Sequence, residues 1–150
     1  MTIDPERLKL FLLDSGLVSQ KELDAFAKEA ETSGAYLGDV LVGAGKITED
    51  DLRRLHGYIL GVPFVNLESE KVDPAVLSII PEPIARNHNI VAYRKEGDTL
   101  EVAMLDPQDL EAIEFVKKKA NLKIKARLTS RESIQNVLRQ YQKSLEAEFG

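Results

Sequence analysis

The sequence predicts an α+β protein. An N-terminal helical subdomain carries a duplicated helix–glycine–helix motif, and a small, mainly antiparallel sheet packed with helices follows. Three observations predict it. Between residues 1 and 60 apolar side chains recur at helical spacing, and the runs close on glycines. The pattern repeats itself at a fixed offset of 29 residues. From residue 61 the period changes, and short helices alternate with strand-like stretches. The expected organisation is a helical subdomain at 1–60, an α+β subdomain at 61–145 and a linker or tail at 146–150.

The elements follow in order. Asp4-Pro5 reads as an N-cap with proline at the first helical position, where its missing N–H costs nothing. Leu8, Leu12 and Leu13 then share a face, and Gly16 ends the helix. Ser19 and Glu22 form a capping box for a second helix through Leu23, Phe26 and Ala27. After Gly34 the grammar recurs: Leu37, Leu41 and Val42 precede Gly45, and Thr48 with Asp51 restarts a helix through Leu52 and Leu55. Leu8 matches Leu37, Leu12 matches Leu41, Leu13 matches Val42, Gly16 matches Gly45, Val18 matches Ile47, Ser19 matches Thr48 and Leu23 matches Leu52. Apolar, glycine and cap roles all recur together, which marks an internal duplication.

Val62–Leu67 reads as a short strand opened by Pro63, and Asp73-Pro74 as the start of a helix reaching Ile80. Pro81-Glu82-Pro83 seeds another helix ending near Asn87. Ile90–Arg94 and Thr99–Leu105 read as strands of a hairpin whose turn contains Gly97. Asp106-Pro107 is expected to open a helix carrying Leu110, Ile113 and Val116. Leu122, Ile124, Ala126 and Leu128 alternate with Lys123, Lys125 and Arg127, a half-buried strand with one wet face. Thr129 with Glu132 reads as a third capping box, and Ile134, Val137, Leu138 and Tyr141 line the last helix. The charged stretch from Lys143 onward reads as a tether.

Composition excludes several classes of function. The chain has 150 residues, 43% hydrophobic and 30% charged, which is ordinary globular usage. A net charge of −5 argues against a general nucleic-acid binder, which needs a positive field. With no cysteine there are no disulfides, thiolate metal sites or thiol nucleophiles. No apolar run has the length of a membrane span, so the expectation is a cytosolic chain without membrane insertion. The Gly38–Thr48 stretch imitates a phosphate loop but fails in both registers. Ala44 follows Gly43 where lysine is required, and Ile47 follows Gly45-Lys46 where a hydroxyl is required. His56 and His88 lack ligand-spaced partners and read as helix-surface residues. No catalytic residue, metal site or cofactor is expected. Lys117, Lys118, Lys119, Lys123, Lys125 and Arg127 form a basic cluster, either a solvated face or a docking patch for an acidic partner.

One further pattern has a precedent. Val102-Ala103-Met104-Leu105-Asp106-Pro107-Gln108-Asp109, with Ile80-Pro81-Glu82-Pro83-Ile84-Ala85 upstream and Tyr141 in the last helix, resembles the N-terminal domain of the type II secretion and type IV pilus assembly ATPases, the GspE/PilB family. The duplicated first half resembles that family's MshEN-type unit, whose two tandem motifs bind cyclic di-GMP. The likeness places a first motif at Arg7, Leu8, Leu12, Leu13, Gly16, Leu17, Val18 and Leu23. It places a second at Leu37, Gly38, Leu41, Val42, Gly45, Ile47 and Leu52. The chain departs from the motif at Lys9 (glycine in the family) and Ala30 (glutamine). In the second motif it departs at Tyr36 (arginine), Lys46 (apolar), His56 (leucine) and Ile59 (glutamine).

What the resemblance implies is a non-catalytic docking and regulatory module of a motor ATPase. It would link the motor's ATPase core to the cytoplasmic domain of an inner-membrane platform protein, peripheral to the membrane through partners. The strand Lys123, Lys125, Arg127 is the expected partner contact. The rival reading is a cyclic di-GMP-responsive switch with Arg7, Leu8, Leu12, Leu13, Gly16, Leu17, Leu37, Gly38, Leu41, Val42 and Gly45 around the nucleotide. One arginine of two and neither glutamine survive, so weakened or lost nucleotide binding is expected.

Overall fold

The structure, a computed structural model, describes the backbone of residues 3–149 and the side chains of residues 3–142. The chain divides into two compact units between Gly61 and Val62.

The first unit is helical. Helix α1 (Pro5–Ser15) is capped by Asp4, whose carboxylate accepts the Glu6 N–H at 3.1 Å. Helix α2 (Gln20–Ser33) and helix α4 (Glu49–Leu60) both open on the expected reciprocal capping boxes, Ser19 with Glu22 and Thr48 with Asp51. Helix α3 (Leu37–Gly43) lies between them. Gly16 and Gly45 both sit at φ +74°, the left-handed region a helix C-terminus needs and only glycine enters without strain. The duplication in sequence is therefore a duplication in structure. Helix α1 packs on α4 and α2 on α3, so each repeat's first helix rests on the other repeat's second. The matched pairs Leu8/Leu37, Leu12/Leu41, Val18/Ile47 and Leu23/Leu52 are all buried in one core.

The second unit is α+β. Helices α5 (Pro74–Leu77) and α6 (Glu82–His88) precede strands β1 (Ile90–Glu96) and β2 (Thr99–Met104), joined by the two-residue turn Gly97-Asp98 with Gly97 at φ +59°. Helix α7 (Leu110–Ala120) leads to strand β3 (Lys123–Leu128), and helix α8 (Arg131–Phe149) ends the chain's described part. The sheet order is β1-β2-β3, with β1 antiparallel and β2 parallel to the strand that follows each of them along the order. The sheet is thus mixed rather than mainly antiparallel. A helical crossover returns the chain to the end where β2 began, so β3 runs in the same direction. The consecutive residues Ile90-Val91-Ala92 and Val102-Ala103-Met104 are all buried, so both faces of the sheet are covered at that end.

Other expectations are corrected locally. Val62–Leu67 forms no strand of its own. Phe64 makes a single parallel bridge to Leu128, with Val65 N–H donating to the Leu128 carbonyl at 2.8 Å and Leu128 N–H to Pro63 at 2.9 Å. Helix α5 stops at Leu77, short of Ile80. Helix α7 is capped by Asp109, while Asp106 instead accepts the Gln108 N–H in a tight turn. Ser130, not Thr129, caps α8: its Oγ accepts the Ser133 N–H at 3.1 Å. The Thr129 hydroxyl donates to the Val65 carbonyl at 2.7 Å. Helix α8 runs without a break to Phe149, through the stretch from 146 where the sequence suggested a linker.

Residues 67–72 have no regular structure and are laid along α8 by its polar side chains. Ser133 Oγ accepts the Leu67 N–H, Asn136 Nδ2 donates to the Leu67 and Glu70 carbonyls, and Gln140 both accepts the Val72 N–H and donates to Glu70. Backbone groups that a loop would leave to water are thereby satisfied.

Candidate functional site

The residues that the family resemblance implies for a nucleotide site fall into three physical classes. Leu8, Leu12, Leu37 and Leu41 are buried and form the helical core. Gly38 is buried too. A Cβ there would stand 2.7 Å from the Tyr36 ring and 2.8 Å from Leu52, so packing of the helices by itself leaves no room for a side chain. Gly16 and Gly45 end helices, and Leu13 and Val42 are half-buried against the same core. That leaves Arg7 and Leu17 as exposed side chains of the set.

The cations near these positions already have partners. Arg7 Nη2 donates to the Ile59 carbonyl at 3.2 Å, close to the α4 C-terminus, where the helix dipole favours positive charge. Lys9 Nζ is 3.1 Å from Glu6, and Lys46 Nζ is 2.6 Å from Glu22. The Lys46 hydrogen bond, reinforced by Ser19, holds the Glu22 carboxyl below its ordinary range.

Two departures from the family motif meet each other. The Tyr36 hydroxyl accepts the Ile3 N–H at 3.1 Å and lies 3.0 Å from His56 Nε2. Burial raises the pKa of the Tyr36 phenol. His56, expected on a helix surface, is 2% exposed. The contact joins residues 20 apart on different elements, and the only sequence signal for it was that both positions break the motif together. His88 is half-buried, with Nδ1 3.0 Å from Asp109 Oδ2, while Oδ1 of the same carboxylate caps α7.

In the α+β unit Lys123 and Lys125 are exposed and Arg127 is half-buried, on the face of β3 opposite Ile124, Ala126 and Leu128. Lys123 pairs loosely with Asp98 at 3.5 Å, and Lys125 lies opposite Glu101 in the β2–β3 register. The patch is therefore less purely basic than the sequence run suggested. Tyr93, at the β1 bulge, has its phenol pushed up to about 12 by burial and then by Glu101, with Arg127 acting the other way. Lys117 and Lys118 at the α7 C-terminus share an open cleft of about 500 Å3 with Asp98, Glu114 and Lys123. Among the described residues no group of three or more His, Asp or Glu side chains could hold a metal ion, and no helix is long and apolar enough to cross a membrane.

The family model of the MshEN domain matches residues 60–148. The chain belongs to the MshEN domain family. The match falls on the α+β unit, whereas the motif likeness in the sequence fell on the duplicated helices of residues 1–60. Over 135 residues, 90% of its length, the MshEN chain is 30% identical to the type IV pilus assembly ATPase PilB of Myxococcus xanthus, and it spans 24% of that protein. It is 32% identical over 84 residues to PilB of Thermus thermophilus, 56% of this chain and 9% of that one. A solved structure of MshE with cyclic di-GMP superposes with a TM-score of 0.71 at 27% identity, covering 89% of this chain and 97% of that one. The N-terminal domain of XpsE shares the fold, with a TM-score of 0.62 at 18% identity over 93% of this chain and 97% of that one. The MshEN chain is thus homologous to a part of the pilus ATPases and has the α+β fold of these domains.

Proposed function

We propose that this chain is a non-catalytic docking and regulatory module of a type II secretion or type IV pilus assembly motor ATPase. It would join the ATPase core of that motor to the cytoplasmic domain of an inner-membrane platform protein, and so act at the cytoplasmic face of that membrane through partners. The observation that carries this reading is the alignment of nine-tenths of the chain with a part amounting to 24% of PilB. The failed phosphate-loop registers around Gly43 and Gly45 agree with it, since no arrangement in this stretch would wrap a triphosphate. The exposed Lys123 and Lys125 with Arg127, beside the cleft at Lys117 and Lys118, supply a surface for acidic side chains of a platform protein. Lys123→Glu/Lys125→Glu/Arg127→Glu is expected to weaken capture of the cytoplasmic platform domain at least about tenfold in a pull-down titration, a loss of about 1.4 kcal/mol. Unchanged capture removes the patch from the interface.

A second reading is favoured by the MshE likeness: the helical unit as a cyclic di-GMP-responsive switch, with Arg7, Leu17 and the Gly16 and Gly45 turns as its accessible contacts. The residues present fit that dinucleotide poorly. A ligand with two phosphates and two guanines asks for available cations and donor forks. Here Arg7 serves a helix end, Lys9 and Lys46 serve carboxylates, and the second arginine position is Tyr36, already bonded to Ile3 and His56. Calorimetry of the chain with cyclic di-GMP is expected to give a dissociation constant weaker than about 10 μM. Low-micromolar or tighter binding makes the switch the better account.

A further inference from the structure

The two repeats of the helical unit share a core but not a surface. The 29-residue offset pairs Ala27 with His56, Ala30 with Ile59, Arg7 with Tyr36 and Lys9 with Gly38. On α4 the large partners His56 and Ile59 are buried. On α2 the small ones leave room. A cavity of about 540 Å3 opens where the start of α1, the end of α2 and the segment before α3 meet. Alanine stands in its wall at the two positions where the other repeat carries a buried histidine and isoleucine.

Its lining combines three kinds of surface. Ala27, Ala30 and Leu37 are apolar, the Tyr36 ring is an aromatic wall, and Glu6 and Glu31 bring carboxylates. Lys9 also lines it, but its ammonium is held by Glu6 at 3.1 Å. Glu31 makes no ion pair among the described residues, so the cavity carries net negative charge. The Tyr36 ring is fixed in place through its hydroxyl by Ile3 and His56, so a ligand stacking on it would not have to order it. Acidic residues outnumber basic ones between residues 3 and 61, so the wider field of this unit has the same sign.

We propose that this cavity is a docking site for an arginine side chain presented by a basic segment of a partner protein. Arginine matches the apolar, aromatic and acidic parts of the lining. Its methylene stem covers Ala27, Ala30 and Leu37, its plane stacks on Tyr36, and its fork of N–H donors meets the Glu31 carboxylate in bidentate fashion. Lysine would bring charge without the plane or the fork. A nucleotide would bring its phosphates toward two carboxylates and one occupied ammonium. The site stands on the helical unit alone and goes beyond the platform-docking reading, which places its contact on β3.

The test uses the whole chain and fluorescence anisotropy with labelled hexa-arginine and hexa-lysine peptides at physiological salt. The expected result is saturable binding of hexa-arginine, at least about fivefold tighter than hexa-lysine. Glu31→Gln, at an exposed position, and Ala30→Ile, which copies the residue at 59, should each weaken it by at least about fivefold. Circular dichroism of both variants checks that the helices persist, and Glu31→Gln keeps the test valid should Ala30→Ile not fold. Equal affinity for the two peptides, or hexa-arginine binding untouched by Glu31→Gln, overturns the proposal. So does competition by guanosine monophosphate with binding of its own in the cavity. A pull-down that fails for the β3 charge-reversal variant but leaves hexa-arginine binding intact separates this site from the platform contact.

Discussion

Leu12→Ala and Leu41→Ala should each destabilise the helical unit by about 2–5 kcal/mol, whereas Leu17→Ala should stay within about 0.5 kcal/mol. Leu12 and Leu41 are equivalent positions of the two repeats, and both are completely shut off from solvent. Each lies where the first helix of one repeat packs on the second helix of the other, and those second helices, α2 and α4, open on capping boxes. Such a site collapses little around a deleted isobutyl group, so both the transfer and the cavity contributions are felt. Leu17 is 45% exposed and lies just beyond Gly16, so its truncation removes little buried area. Urea unfolding followed by circular dichroism reads the difference, with the lower transition assigned by the variant that moves it, because two compact units need not unfold together. An unchanged midpoint for Leu41→Ala, together with altered ligand affinity, would make the leucine a binding residue and not framework.

That distinction explains how much of the site was legible beforehand. The repeat was visible because its leucines, glycines and caps are local signals recurring at one offset, and they govern the fold of the helical unit. Leucines and glycines that suit a nucleotide motif suit helix packing equally, and sequence alone could not separate the two uses. Burial accounts for Leu8, Leu12, Leu37, Leu41 and Gly38 as packing residues, while Gly16 and Gly45 are exposed helix ends. The Tyr36–His56 contact was invisible because it joins two elements that only the folded unit brings together. The same holds at α8. Thr129 and Ser130 are both good caps by composition, and the choice between them is made by Val65, whose carbonyl takes the Thr129 hydroxyl from 64 residues away. The hairpin was legible from Gly97, a local turn, and the parallel pairing of β3 was not, because it depends on where α7 returns the chain. Pro63 lacks an N–H, and the segment around it contributes one bridge at the end of β3 where a strand was expected.

Tyr141→Phe is expected to cost the α+β unit about 1–3 kcal/mol, although it removes a single oxygen. The Tyr141 hydroxyl is 2.7 Å from the Ile80 carbonyl and 3.1 Å from the Leu77 carbonyl, and all three groups are buried. It satisfies the turn between α5 and α6 from a position on α8. Phenylalanine fills the same space and removes the one donor that the two buried carbonyls share, so the loss is that of a buried acceptor left without its partner. Gln142→Ala, one residue on and exposed, should stay within about 0.5 kcal/mol. The same hydroxyl has an alkaline signature. Burial, with a further push from Glu82, raises the Tyr141 phenol above its ordinary pKa of 10, and Tyr93 is raised to about 12. Both phenols stay protonated in the folded unit at pH values where the unfolded chain has begun to lose those protons. The stability they contribute is whole below about pH 10 and falls as pH rises from there through the folded-state values. Urea midpoints between pH 9 and 12 should therefore decline in the native chain and decline less steeply in Tyr93→Phe/Tyr141→Phe, which starts lower at neutral pH. A double variant that follows the native slope would mean that these phenols are ionised as readily folded as unfolded, and that the hydroxyl of Tyr141 does not hold the α5–α6 turn to α8.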